Sequence, residues 1–196
     1  MKESMSYVIY LHGFRSIAGS SSKAESLACM LPQETIISLE YMPHKPDEAS
    51  AAIDTLVAEL GEKNITGFVG TSLGGFWARW AATKYKIAAI AINPSLEPWA
   101  TLPTGEFSCY GSDTLIQVTQ ADLQAFKNYL APDAGAVTMH VVAMDDDVLD
   151  ADRMLTLIGE DCLWQTRVFE AGGHRFEGIE RLRGAINIRF YNTENI

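Results

Sequence analysis

The chain has too few cysteines to be held by disulfides. Cys29, Cys109 and Cys162 are odd in number, widely spaced and form no Cys-x-x-Cys pair, which argues against both a disulfide framework and a cysteine zinc cage. We read them as reduced thiols filling small apolar spaces. Long hydrophobic runs are also missing, since no window approaches the roughly 18 apolar residues of a membrane span. The start, Met1 to Ser6 and then five apolar residues before His12, is too short for a signal-peptide core and lacks a small-residue cleavage site. A cytoplasmic protein with no membrane partner is expected. Positive charge is scarce as well: 15 Lys and Arg stand against 25 Asp and Glu, for a net charge of -10, a balance that repels nucleic acid and anionic membrane surfaces. The densest basic group, Arg175, Arg181, Arg183 and Arg189, is interrupted by Glu177 and Glu180 and reads as a solvated helix face. No His-x-x-x-His pair occurs, and the glycine-rich stretch 70–75 lacks the lysine of a phosphate-binding loop, so neither metal nor cofactor is expected.

What the chain does have is an alternation of two patterns. Its 196 residues suit one domain, 1–196, able to bury roughly 70% of its unfolded surface. Short apolar runs at Tyr7–Leu11, Thr35–Leu39, Ile65–Val69, Ile87–Ile92, Thr138–Met144 and Arg167–Glu170 read as strands, several apolar enough to be buried on both faces. Helical periodicity separates them. Ser22 to Glu25 has capping-box spacing ahead of Leu27 and Leu31; Pro46 to Leu60 ends at Gly61; Leu73–Tyr85, Leu149–Ile158 and about Phe176–Tyr191 complete the set. The expected class is α/β: a mostly parallel sheet of about six strands with helices on both faces. One stretch breaks the alternation. Ser95 to Val137 is rich in Pro, Gly and Ser with one helical segment near Gln120–Leu130. It leaves the carboxyl edge of the sheet, where ligands bind, and reads either as a lid over a site or as a helix and irregular loop packed on that edge.

Chemistry concentrates at that edge. Gly70-Thr71-Ser72-Leu73-Gly74 places a serine between an apolar run and a helix, the strand-turn-helix context in which a serine hydroxyl is presented for attack. A serine needs a base, and the base needs an acid to orient it. In open-sheet hydrolases these follow in the order Ser, Asp or Glu, His. Here Asp145-Asp146-Asp147 follows the fifth strand and Gly172-Gly173-His174 the sixth. His174, in a flexible turn, is the expected base. Asp146 is the preferred acid and Asp147 the second choice, with Asp145 and Asp150 read as turn and capping residues. Backbone N–H groups must stabilise the oxyanion; Leu73, after the serine, and Phe14, in the turn after the first strand, are the expected donors. His12 reads as structural and His140 as a core or face residue. Phe76, Trp77 and Trp80 read as core aromatics at helical spacing, leaving Phe14 and Trp99 as the aromatics expected to touch substrate.

Taken together, Tyr10-Leu11-His12-Gly13-Phe14, Gly70 to Gly75, Asn93-Pro94, Asp146-Asp147-Val148-Leu149-Asp150 and Gly172-Gly173-His174-Arg175-Phe176 resemble the small bacterial YqiA-type esterases of the α/β-hydrolase superfamily, in register along nearly the whole chain. The resemblance implies activity on acyl esters, with acyl-CoA thioesters as an alternative, and it matches Ser72, Asp146 and His174 to the triad and Phe14 and Leu73 to the oxyanion hole. It favours Asp146 over Asp147, because the family acid stands two residues before the valine matched by Val148. The expected function is therefore a serine esterase acting on small-molecule acyl esters through an acyl-enzyme. A thioesterase would use the same residues, but its phosphate-rich substrate would prefer a basic rim, against which the acidic mean charge argues. The remaining alternative is a non-catalytic binding module on a hydrolase fold. Oligomeric state is not legible.

Overall fold

Strand β1 (Tyr7–Leu11) divides its side chains between two cores: Val8 and Tyr10 join one, Ile9 and Leu11 the other. Period-two alternation makes an almost unbroken apolar run compatible with a sheet covered on both sides. A computed structural model of the chain describes residues 6–191 except 20, 133, 135, 136, 160, 161, 163 and 164. Of the stretch considered above for a leader, Met1–Met5 lies outside the described residues. Strands β2 (Thr35–Ser38), β3 (Ile65–Thr71), β4 (Ala89–Ile92), β7 (Thr138–Ala143) and β8 (Thr166–Phe169) complete a sheet of order β2-β1-β3-β4-β7-β8, all neighbours parallel. This is the expected six-stranded architecture. Helices α1 (Ser22–Met30) and α7 (Arg183–Tyr191) cover one face, through Leu27, Met30, Ile186 and Phe190; α2 (Pro46–Leu60) and α3 (Leu73–Tyr85) cover the other, through Ala49, Ile53, Trp77 and Ala81. Among the described residues no helix is long and apolar enough to cross a membrane.

Several element boundaries differ from expectation for identifiable reasons. The cap of α1 is Ser21, whose hydroxyl accepts from Lys23 N–H at 3.3 Å, so the start lies one residue before the expected box at Ser22. Helix α6 (Ala151–Ile158) begins after Asp150, which caps it by accepting from Arg153 N–H at 2.9 Å. The expected last helix is broken. Phe176 and Gly178 both take positive φ (49° and 77°), a 3₁₀ turn covers Ile179–Leu182, and α7 starts only at Arg183. Burial of Phe176 against Phe169, with ring centres 5.1 Å apart, outweighs its local helical pattern. The cysteines are not uniformly fillers: Cys109 is buried, Cys162 half-buried and Cys29 exposed.

The stretch 95–137 holds more structure than one helix. Helix α4 (Pro98–Thr101) leads to an antiparallel hairpin, β5 (Gly105–Ser108) with β6 (Leu115–Val118), and then to α5 (Gln120–Ala125) and a 3₁₀ turn at Phe126–Tyr129. A capping box between Thr119 and Asp122 starts α5. Phe126 anchors the stretch, fully buried at 5.3 Å from the ring of Phe76.

Candidate active site

Residue Ser72 lies between β3 and α3 with φ 54° and ψ -121°, a backbone conformation that a residue with a Cβ adopts only when its surroundings enforce it. The enforcement is steric. A Cβ on Gly70 would come 2.0 Å from the Gly74 carbonyl oxygen, and one on Gly74 would come 2.0 Å from that of Leu11. Only glycine at both places lets α3 start this close to the strand ends, which turns the serine outward.

The imidazole of His174 bridges two of the residues singled out above. Its Nε2 is 3.0 Å from Ser72 Oγ, and its Nδ1 is 3.0 and 2.9 Å from the two carboxylate oxygens of Asp146. A carboxylate can only accept, so Nδ1 carries the proton and Nε2 is left to accept from the serine hydroxyl. The Asp146 side chain has no solvent exposure, while that of His174 keeps 18%. Burial alone would raise the Asp146 carboxyl. Hydrogen bonds from His174 and from the Leu149 and Val148 N–H groups outweigh burial and hold it below the usual carboxylate value.

Asp147, the second choice, is exposed and forms no side-chain hydrogen bond among the described residues. Asp145 does more than turn the chain: its Oδ1 accepts from Gly172 N–H at 2.8 Å and Gly173 N–H at 2.7 Å, bracing the loop before His174. Asn93 braces the same loop from β4. Its Nδ2 donates to the Gly173 and His174 carbonyls at 2.9 and 3.1 Å, while its Oδ1 accepts from Ala143 N–H at 2.8 Å. Neither role was apparent from sequence; the one available signal was an asparagine, a residue that tolerates left-handed backbone, directly before Pro94 at a strand end.

The expected donors of the oxyanion site flank Ser72. Leu73 is the first residue of α3, whose opening N–H groups have no partner within the helix. Phe14 follows the turn after β1, and its N–H makes no backbone hydrogen bond among the described residues. His12 behaves structurally: it is buried, burial lowers its ring pKa, and its carbonyl accepts from the Tyr41 hydroxyl at 2.8 Å.

A cavity of about 610 Å³ opens beside Ser72 and His174. Phe14 lines it together with Leu102, Pro103, Phe107 and Tyr110 from the stretch 95–137. Trp99 does not; it packs on the core instead, as Phe76, Trp77 and Trp80 do.

The fold recurs among solved structures at low sequence identity. Est1E from Butyrivibrio proteoclasticus, solved with ferulic acid bound, superposes with a TM-score of 0.67 at 12% identity, covering 98% of this chain and 90% of that one. Alpha/beta hydrolase domain-containing protein 10 from mouse gives 0.64 at 16% identity over 92% and 88%. An S-formylglutathione hydrolase from Agrobacterium tumefaciens gives 0.64 at 14% identity over 93% and 82%. The chain thus has the α/β-hydrolase fold. A family model matches residues 7–188, nearly the full described length, and the chain belongs to that uncharacterised protein family, UPF0227, the YqiA-like group to which the scattered motifs pointed.

Proposed function

We propose that this protein is a serine hydrolase of small-molecule carboxylic esters, with Ser72 as nucleophile, His174 as general base and Asp146 as the orienting acid. The observation that carries the reading is the single imidazole within 3.0 Å of both the Ser72 hydroxyl and the Asp146 carboxylate. As Ser72 Oγ attacks an ester carbonyl, His174 Nε2 takes its proton, and the buried Asp146 carboxylate stabilises the imidazolium that forms. The carbonyl oxygen becomes an oxyanion facing the Phe14 and Leu73 N–H groups. Collapse transfers the proton from Nε2 to the departing alcohol and leaves an acyl-Ser72 ester. Water, deprotonated by the same imidazole, then releases the acid. The stretch 95–137 acts as a cap that excludes bulk water from this chemistry, since its residues form one wall of the cavity.

Two measurements test the reading. A fluorophosphonate probe is expected to label the wild-type protein and not Ser72→Ala. With 4-nitrophenyl butyrate, Ser72→Ala is expected to lower kcat by about a thousandfold or more. Equal labelling or equal turnover of the two proteins refutes the mechanism and favours a binding module.

A further inference from the structure

Three basic side chains line the cavity beside Ser72, and no aspartate or glutamate is among the described residues that line it. They come from separate parts of the chain: Arg15 from the loop after β1, Lys23 from the first turn of α1 and Arg175 from the loop after β8. In a chain with 25 acidic residues and a net charge of -10, exclusion of every carboxylate from one wall runs against the composition. We propose that this wall is a subsite for an anionic group, so that the substrate is an ester carrying a carboxylate or phosphate away from its scissile carbonyl. The proposal rests on the hydrolase reading of Ser72.

The two arginines are held in place without being neutralised. Arg15 Nε donates to the Ser108 carbonyl at 2.8 Å, and the Arg15 and Arg175 guanidinium carbons lie 4.5 and 5.1 Å from the centre of the Tyr110 ring. One ring on the hairpin tip thus takes two guanidinium groups, fixing their direction while leaving their charge available. None of the three forms a salt bridge among the described residues. Lys23 is pushed below the usual lysine pKa, first by partial burial and then by the positive charge of Arg175; Glu177 acts the other way from outside the cavity. Like charges brought together in a half-buried cleft repel one another until an anion enters. Ser16 and Ser22 line the cavity as well, and their hydroxyls add donors suited to the oxygens of a carboxylate or phosphate. Leu102, Pro103 and Phe107 line the same cavity with apolar surface that would hold the uncharged part of the ester.

Matched esters read this directly. Acetyl release from 4-acetoxybenzoate and from 4-acetoxyphenyl phosphate is compared with that from neutral 4-acetoxybenzamide, and mono-4-nitrophenyl glutarate with 4-nitrophenyl pentanoate, each corrected for spontaneous hydrolysis. We expect at least one anionic ester to exceed its neutral match in kcat/KM by about tenfold, the scale of one charge-assisted hydrogen bond. The carboxylate and phosphate arms then identify the anion. The ratio should collapse toward one in the double variant Lys23→Gln/Arg175→Gln and shrink as salt is raised. Neutral esters matching or exceeding every anionic partner, or a ratio that survives the double variant, overturns the proposal. A calorimetric titration of Ser72→Ala with phenylphosphate probes the subsite without turnover, and the two cation substitutions in that background are expected to weaken binding about tenfold. Phenylphosphate binding with no ester hydrolysed leaves the subsite standing and removes the hydrolase reading. Hydrolysis of neutral esters with no phenylphosphate binding does the reverse.

Discussion

Asn93 ties three strand ends together with one side chain. Fully buried, it accepts from Ala143 N–H at the end of β7 and donates to two carbonyls of the loop that carries His174. In the proposed mechanism its task is to keep Nε2 at bonding distance from Ser72, a setting in which displacement by about 1 Å costs on the order of a hundredfold in rate. Asn93→Ala is therefore expected to lower kcat by about 10- to 100-fold with KM changed by less than about twofold. It also leaves Ala143 N–H unpaired, at a cost to folding of roughly 1–3 kcal/mol. Asn93→Asp should not rescue the rate, because a carboxylate accepts from Ala143 but repels the two carbonyls. A variant that unfolds more easily but keeps its wild-type kcat would show that Asn93 is structural only. Ser72 and His174 were legible in the sequence because each has a distinctive local setting. Asp146 was preferred to Asp147 within the turn and the family resemblance strengthened that preference, although adjacent turn residues have nearly the same local pattern. Asn93 and Asp145 act through partners dozens of positions away, and no local pattern records that.

At the scale of elements, the junction of β3 and α3 decides whether Ser72 is presented at all. A methyl on Gly74 would meet backbone oxygen of β1, a clash that no side-chain rotation relieves. Gly74→Ala must move the helix or β1, and we expect a loss of about 3 kcal/mol or more in urea denaturation, well above the usual range for a surface substitution. A loss under about 1 kcal/mol would mean the junction is more adaptable than its contacts indicate. The hairpin β5–β6 shows the opposite case, an element missed in the sequence. Its strands are four residues each with alternating exposure, too short for periodicity to stand out against a Gly- and Ser-rich background. Its importance lies in what it carries, since Phe107 and Tyr110 reach the cavity only because the hairpin folds back over it.

Across the whole molecule, burial of histidine couples folding to pH. His140, within β7, is fully buried, and both its ring nitrogens lack a hydrogen-bond partner among the described residues. Burial, then the charges of Arg79 and Arg189, push its pKa down from 6.5 to about 3. His44 is pushed to about 4 by burial and by Lys45, with Asp122 opposing. For a group whose folded pKa lies below its unfolded value, the unfolded chain binds the extra proton. Stability is then complete above about pH 6.5 and falls as pH drops toward the folded pKa. His140 alone should remove about 3 kcal/mol between pH 8 and pH 4. His140→Leu, compared with wild type by urea denaturation at both pH values, should reduce the acid loss by about that amount; identical losses would assign the sensitivity elsewhere.

The sequence by itself determined the alternation of strands and helices, the two-sided cores, and the residue types at the carboxyl edge, because periodicity and turn chemistry are local properties of the chain. Only the tertiary structure decided which aspartate faces His174, which side chains brace its loop, and that scattered basic residues share one wall in an acidic protein. Those are facts of distance between strand ends, and no stretch of sequence encodes a distance to another stretch until the sheet has set their order.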